Sequence, residues 1–149
     1  MTPHPLYDPD GTLWNIAIAT GPNSKGESTN IWRYVIFKVT PPKTEGEKKN
    51  PWLNLKIVAE VGSSRPYSIS YMHSFFMTKN YIVFTEQPWI IGDLGILIYE
   101  HIIKGNAIGS TMSWDTTNPL LFNIVEKATG MDYLSSEVKQ KFLAGGMIN

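Results

Sequence analysis

Cysteine is absent from the 149-residue sequence, and histidine occurs only three times. Without cysteine the chain has neither disulfides nor a thiolate nucleophile, and zinc sites of the cysteine type are excluded. This composition fits a reducing compartment, and we expect the protein to be cytoplasmic. No uninterrupted apolar run is long enough to predict a membrane-spanning helix, and the N-terminal residues predict neither a signal core nor a transit segment.

Net charge is absent as well, because 13 basic residues balance 13 acidic ones. A nucleic-acid partner is therefore not expected, since such partners are usually bound by a basic surface. Apolar residues make up 42% of the chain and aromatic residues 12%. The length and apolar fraction suit one domain or part of one, and the aromatic fraction suits either a β-rich protein or an apolar ligand pocket.

Alternating and β-branched segments predict about six strands along the chain. The clearest lie at residues 13–19, 31–39, 53–61, 81–86 and 120–127. The pair Asp10-Gly11 predicts a tight turn, and the charged run between prolines at 41–51 predicts a solvated loop. No alternation of strands and helices appears, so we expect an all-β fold with antiparallel pairing.

At most two short helices are expected. Residues 89–108 are mostly apolar, with Asp93, Glu100 and Lys104 on one side of a predicted helix. Two interpretations stay open for this segment: a buried element of the core, or an apolar face resting on a membrane surface. A second short helix is predicted at 135–143. We divide the chain into residues 1–130 and a divergent tail, 131–149.

Residues 68–89 surround His73 with apolar and hydroxyl side chains. The turn signal at 78–80 predicts that two adjacent strands flank it. By local chemistry alone, a single histidine in such a strand is more often a packing residue than a ligand.

Three blocks, in order along the chain, together resemble the carotenoid cleavage oxygenase family. The first is His4-Pro5 with residues 7–12 and Asn15, the second is residues 70–75 (SYMHSF) leading through 77–84 to 86–88 (EQP), and the third is residues 122–127 (FNIVEK) with Thr129-Gly130. The interval 34–52 is most similar to the animal β-carotene central-cleavage branch, whose relatives include the retinoid isomerase. A single SYxHSF would be a modest signal, whereas the ordered set is specific.

The resemblance implies a seven-bladed β-propeller, of which residues 1–130 supply about two blades. The family holds a non-haem Fe(II) through four histidines, and His4 and His73 correspond to the first two. They lie 69 residues apart, a gap that suits neighbouring blades of about 40–50 residues each. Neutral imidazoles suit Fe(II), and an iron with open positions can bind O2. Tyr71 corresponds to a residue near the substrate tunnel, where stacking on a polyene and ordinary packing both remain open.

We therefore expect a fragment of a dioxygenase that splits one double bond of a polyene such as β-carotene into retinal-type aldehydes. No side chain is predicted to be catalytic by itself, and the other two ligand histidines are expected beyond residue 149. Whether this chain is itself an enzyme stays open. The resemblance also links residues 89–108 to the tunnel mouth, and hence to peripheral contact with a membrane.

Two alternatives to a dioxygenase fragment remain. The first is a non-catalytic β-sheet module that binds an apolar ligand or a membrane surface without metal. The second is an inactive remnant. A piece of a propeller exposes strand edges and apolar sheet faces. We therefore expect the isolated chain to be marginally stable or to self-associate.

Overall fold

Antiparallel β-strands form most of the regular structure. The computed structural model describes residues 1–27, 32–65, 68–91, 98–105, 107, 109, 112–117 and 120–132. Within these ranges lie ten strands, arranged in three sheets. The predicted all-β fold is confirmed, while the assignment of these sheets to propeller blades stays a prediction.

The first sheet is a four-stranded meander near the N-terminus. Its strands follow chain order: β1 (Leu6–Tyr7), β2 (Leu13–Ala19), β3 (Arg33–Val39) and β4 (Leu55–Gly62). Each pairs antiparallel with the next, and a register shift at Ile36/Phe37 interrupts the β3–β4 ladder. The β1–β2 turn contains Gly11 at φ 83°, in the left-handed region that glycine adopts without a steric penalty. The predicted turn is confirmed.

Two three-stranded sheets contain the remaining strands: β5 (Ile69–Ser70), β6 (Phe76–Met77), β7 (Tyr81–Glu86), β8 (Trp89–Ile91), β9 (Met112–Trp114) and β10 (Leu121–Glu126). In one sheet β7 lies between β10 and β6, and in the other β8 lies between β5 and β9. The chain therefore crosses from one sheet to the other within a few residues at β5–β6 and again at β7–β8. This crossing brings the ends of both sheets close to residues 71–75.

The structure departs from the sequence prediction at two apolar or charged segments. The predicted loop at 41–51 contains a short helix, α1 (Glu45–Lys49), whose N-cap Thr44 and third residue Glu47 form a capping box. A 3-10 helix, Pro51–Asn54, follows it. The predicted helix over 89–108 is wrong at its start, because Trp89–Ile91 is strand β8; a π-helical turn occupies Ile98–Ile103. The predicted tail helix lies outside the described residues.

No helix among the described residues is long and apolar enough to span a bilayer. The helical segments of these residues are all short: α1, the 3-10 helix and the π-helical turn. Burial is instead provided by the strands.

One hydrophobic core joins the three sheets. Its largest fully buried apolar side chains are Tyr34, Phe84, Ile16, Ile36, Ile69 and Ile82, and Tyr34 packs on Phe84 with ring centroids 5.0 Å apart. In β3 and β7 they stand at every second position, as the period of two requires. In β4 the sequence alternation does not mark the core face, because the register shift at Ile36/Phe37 places Ala59 in the core and Ile57 on the opposite side.

The first sheet is apolar on its other face as well. Val35 and Phe37 alternate with the core residues of β3 and line a groove of about 380 Å³ on the opposite side. We call this surface the outer face of the first sheet; it is lined by Met1, Ala17, Val35, Phe37, Trp52, Leu55 and Ile57. Leu55 and Ile57 remain 39% and 47% exposed.

Candidate metal centre

His4 is held close to β2 by bonds on both sides of it in the chain. The backbone N–H of Thr2 donates to the Ile16 carbonyl at 2.9 Å, and the Asn15 side chain donates to the Thr2 carbonyl at 3.0 Å. After His4, strand β1 pairs with β2. Thr2 and Asn15 are both buried, so water does not compete for these bonds. Asn15, the polar exception in its strand, thus serves to attach the segment that carries His4.

His73 lies in an irregular segment, residues 71–75, between β5 and β6. The two adjacent strands predicted on either side of the turn at 78–80 are confirmed as β6 and β7, but the first is short, because regular pairing stops at Ser70 and resumes only at Phe76. Met72 and Phe75 are buried in the core and anchor the segment. The intervening imidazole of His73 is exposed. The local interpretation of His73 as a core packing residue is therefore wrong.

The two histidines meet across 69 residues of sequence. Their Nε2 atoms are 2.9 Å apart, and their rings lie edge to face with centroids separated by 4.7 Å. At this distance one ring donates its Nε2 proton to the other, the direction depending on the tautomer. The structure thus brings together the two residues that the family resemblance assigned to one site. Metal binding by them stays a prediction.

The spacing of the two nitrogens fits a shared metal ion. For metal–nitrogen bonds of about 2.1 Å, two ligands at a right angle are about 3.0 Å apart, and two ligands of a tetrahedral ion about 3.4 Å. The observed 2.9 Å matches the right-angle case, which is found in octahedral sites that leave positions open. Imidazole suits iron, zinc, copper and nickel. The pair therefore fits half of a transition-metal site without selecting the metal.

Tyr71 orients the ring of His73. Its hydroxyl is 3.1 Å from His73 Nδ1, so it can accept the Nδ1 proton and leave Nε2 with a free lone pair. The ring of Tyr71 in turn packs on Trp89, with centroids 5.2 Å apart. Tyr71 was predicted to contact substrate; the structure gives it a contact with the predicted metal ligand as well.

A cavity of about 230 Å³ opens beside His73. Its walls combine apolar and polar side chains from residues 71–76 and from the end of β7: Tyr71, Met72, His73, Ser74, Phe76, Thr85 and Gln87. The cavity therefore places a mixed polar and apolar surface next to the His73 imidazole.

Sequence reasoning assigned no role to Gln87 or to the buried carboxylate of Glu86. Gln87 donates from Nε2 to the Tyr71 carbonyl at 2.6 Å. Glu86 is fully buried, on the same face of β7 as Ile82 and Phe84. The signal was present in the sequence, since a period of two from Ile82 puts a carboxylate on the core face, where it needs partners.

The described residues bring together two of the four histidines that the resemblance implies as iron ligands, with Tyr71 beside them. Among the described residues, no three His, Asp or Glu side chains converge as metal ligands. The third histidine, His101, belongs to the π-helical turn Ile98–Ile103.

The whole chain matches one known protein family. The model of the retinal pigment epithelial membrane protein family matches residues 1–149. The chain belongs to this family. The resemblance to carotenoid cleavage oxygenases is thereby confirmed, and the relatives agree with it.

Among these relatives, the mitochondrial carotenoid-cleaving dioxygenase of Macaca fascicularis is 31% identical over 99% of this chain, and that of Homo sapiens is 34% identical over 87%. The beta,beta-carotene 15,15'-dioxygenase of Gallus gallus is 32% identical over 99% of the chain. The matched regions cover 25%, 20% and 26% of these relatives. The family member described here thus spans about a fifth to a quarter of their length.

Proposed function

We propose that this family member carries part of the metal and substrate site of an iron-dependent dioxygenase that cleaves a carotenoid double bond to aldehydes. The observation that supports it most is the meeting of His4 and His73, 2.9 Å apart at Nε2. In this proposal the two Nε2 atoms bind Fe(II), and the remaining ligands come from the rest of a longer protein. The chemistry that bound iron would supply is the binding of O2 at its open coordination positions.

The residues around the pair have separate roles in the proposal. Tyr71 accepts the Nδ1 proton of His73 and so keeps the Nε2 lone pair directed at His4. The Tyr71 and Trp89 rings offer an aromatic surface for an apolar polyene. Phe76, 69% exposed, adds a second apolar ring to the wall of the cavity.

A chimera tests the cleavage proposal. Residues 1–132 replace the matching segment of the Gallus gallus beta,beta-carotene 15,15'-dioxygenase, which the chain matches over 26% of its length. We expect the chimera to convert a carotenoid to aldehydes, seen by chromatography, and His73→Ala in the chimera to abolish conversion. A His101→Ala chimera serves as the histidine control. A well-folded, iron-loaded chimera without activity would contradict the proposal.

Contact with a membrane surface is a second part of the proposal. The π-helical turn exposes Tyr99, Ile102 and Ile103, the two isoleucines at 71% and 69%. On the same turn Lys104 pairs with Glu100 at 2.9 Å, which gives the turn a charged side beside its apolar one. Short segments with this division of polarity rest in the headgroup region of a bilayer and give a polyene-binding protein access to its lipid-dissolved substrate.

Liposome flotation tests the membrane contact. We expect Ile102→Glu with Ile103→Glu to reduce the floating fraction of the chain several-fold. A Leu53→Glu variant, which changes a side chain that is 66% exposed on the 3-10 helix, is the matched control. Equal flotation of both variants would contradict a role for the π-helical turn. The predicted cytoplasmic location stays a prediction.

A further inference from the structure

We propose that Gln87, together with a buried cluster of Arg65, Ser70 and Glu86, positions Tyr71 and His73 for metal binding. This inference rests on the proposed function, because it concerns the same pair of imidazoles. Gln87 and the three cluster residues are positioning residues: each acts through residues 70–71, Gln87 from the wall of the cavity beside His73 and the others from the buried core.

Gln87 forms hydrogen bonds with both Ser70 and Tyr71. Its side chain donates to the Tyr71 carbonyl at 2.6 Å, and its own carbonyl accepts a hydrogen bond from the Ser70 hydroxyl at 2.5 Å. A third bond, from the Tyr71 N–H to the Trp89 carbonyl at 2.8 Å, lies beside them. The start of the His73 segment is therefore fixed against the β7–β8 connection at the point where regular strand pairing ends.

The buried cluster holds Ser70 in turn. Arg65 Nη1 donates to the Ser70 hydroxyl at 3.1 Å and lies 3.5 Å from the Glu86 carboxylate. Ser64 donates to the same carboxylate from its N–H at 3.0 Å and from its hydroxyl at 2.7 Å. Arg65, Ser70 and Glu86 are 4%, 0% and 0% exposed, so these bonds act in a low-dielectric environment.

Stability alone is a weak reason for this cluster. A buried ion pair gains little net free energy over well-packed apolar side chains, because both charges lose their hydration. Among the described residues, Arg65 Nη2 is the one buried side-chain nitrogen or oxygen that lacks a hydrogen-bond partner, which adds a further cost. What the cluster does provide is a directional hold on Ser70, next to the tyrosine that orients His73.

Gln87→Met tests the inference in the 149-residue chain, because methionine has a similar length and no amide donor. The matched control is Asn54→Leu, which removes another amide-to-carbonyl bond, from Asn54 in the 3-10 helix to Thr40 after β3, together with the bond from Asn54 to the Glu47 carboxylate. Affinity is measured by titration with Co2+, whose visible absorption reports ligand geometry. The nuclear Overhauser effect between the ring protons of His4 and His73 reports the pair without metal; with only three histidines, single His→Ala variants assign the signals.

We expect Gln87→Met to weaken Co2+ binding about tenfold, the lower end of the effect of removing a partner behind a metal ligand. The His4–His73 Overhauser effect is expected to weaken in the same variant. The melting temperature is expected to stay within about 3 °C of that of Asn54→Leu. Ser70→Ala, which removes only the hydroxyl link, is expected to act in the same direction.

Three results would overturn the inference. They are equal Co2+ affinity in Gln87→Met and Asn54→Leu, an unchanged Overhauser effect, and loss of cooperative unfolding in both Gln87→Met and Ser70→Ala. If the unmodified chain binds no Co2+, the metal proposal fails for this chain, and the metal-free Overhauser comparison alone decides the positioning role.

Discussion

Gly130 offers the sharpest test of how the turn after β10 packs on strand β4 of the first sheet. It follows β10 at φ 73°, and its N–H donates to the Glu126 carbonyl at 2.8 Å. A Cβ at this position would overlap the carbonyl oxygen of Val58 in β4 and lie 3.1 Å from its carbonyl carbon. Both the backbone conformation and the space therefore require glycine, and we predict that Gly130→Ala is severely destabilising.

The magnitude follows from comparison with Gly26, which shares the positive φ and a backbone hydrogen bond from its N–H. Gly26 has φ 80° and donates its N–H to the Asn23 carbonyl, but a Cβ there meets nothing within 4 Å. An alanine in the left-handed region destabilises the folded state by about 1–2 kcal/mol. It also lowers the conformational entropy of the unfolded chain, which offsets about 0.4–1 kcal/mol of that loss. We therefore expect Gly26→Ala to lower the free energy of unfolding by about 1 kcal/mol.

At Gly130 the overlap adds to this cost, because Val58 presents backbone that cannot rotate away. Relieving it means separating the turn after β10 from β4, and we expect a total loss of about 3–5 kcal/mol, at the upper end of single substitutions. Urea denaturation followed by circular dichroism measures both variants. Losses equal to within 1 kcal/mol would refute the packing of this turn on β4.

Three further predictions concern stability and association. Lys127→Met should lower the free energy of unfolding by about 2 kcal/mol, since Lys127 pairs with Asp8 and lies over the Trp14 ring. Lys48→Met, which removes an exposed ion pair, should lower it by less than about 0.5 kcal/mol. Urea denaturation measures both variants, and equal losses would contradict the prediction. Burial raises the pKa of Glu60, but hydrogen bonds from Ser24 and Arg33 outweigh it and hold the pKa below its usual 4.5. The stability that this gives is present above pH 4.5 and is lost as the pH falls through the lowered value, so Glu60→Gln should flatten the urea midpoint between pH 7 and about pH 3; an equally steep fall would contradict the assignment. Ile57→Lys in the outer face of the first sheet should shift the chain toward monomer in size-exclusion chromatography, because it places a charge in an exposed apolar groove. Tyr7→Lys, outside that groove, should leave the association unchanged. An unmodified chain that is already monomeric would contradict self-association through this face.

The longer strands were predictable from the sequence because each repeats its pattern several times. Leu13–Ala19 and Tyr81–Glu86 begin and end where alternation predicted. Strands of two or three residues, such as Ile69–Ser70, carry too little pattern and exist only through their partners. Helix α1 was not predicted, because the surrounding charges and prolines favoured a loop. The residues of its capping box, Thr44 and Glu47, were nevertheless present in the sequence.

The candidate site divides in the same way. Local chemistry around His73 predicted a packing residue, and the family resemblance identified both it and His4. Their meeting depends on contacts distant in sequence, such as Asn15 with Thr2 and Gln87 with Tyr71, which no local pattern contains. The irregular segment at 71–75 is held by contacts such as that of Gln87 with Tyr71, so the strand predicted before the turn at 78–80 is reduced to Phe76–Met77.

Anaerobic titration with Fe2+ of the unmodified chain and of single His→Ala variants at 4, 73 and 101 tests the central claim most directly. We expect the unmodified chain and His101→Ala to bind Fe2+ with equal affinity. His4→Ala and His73→Ala should each bind at least about tenfold more weakly, because each removes one of two converging Nε2 ligands. Equal binding by all four proteins would contradict a metal centre at His4 and His73.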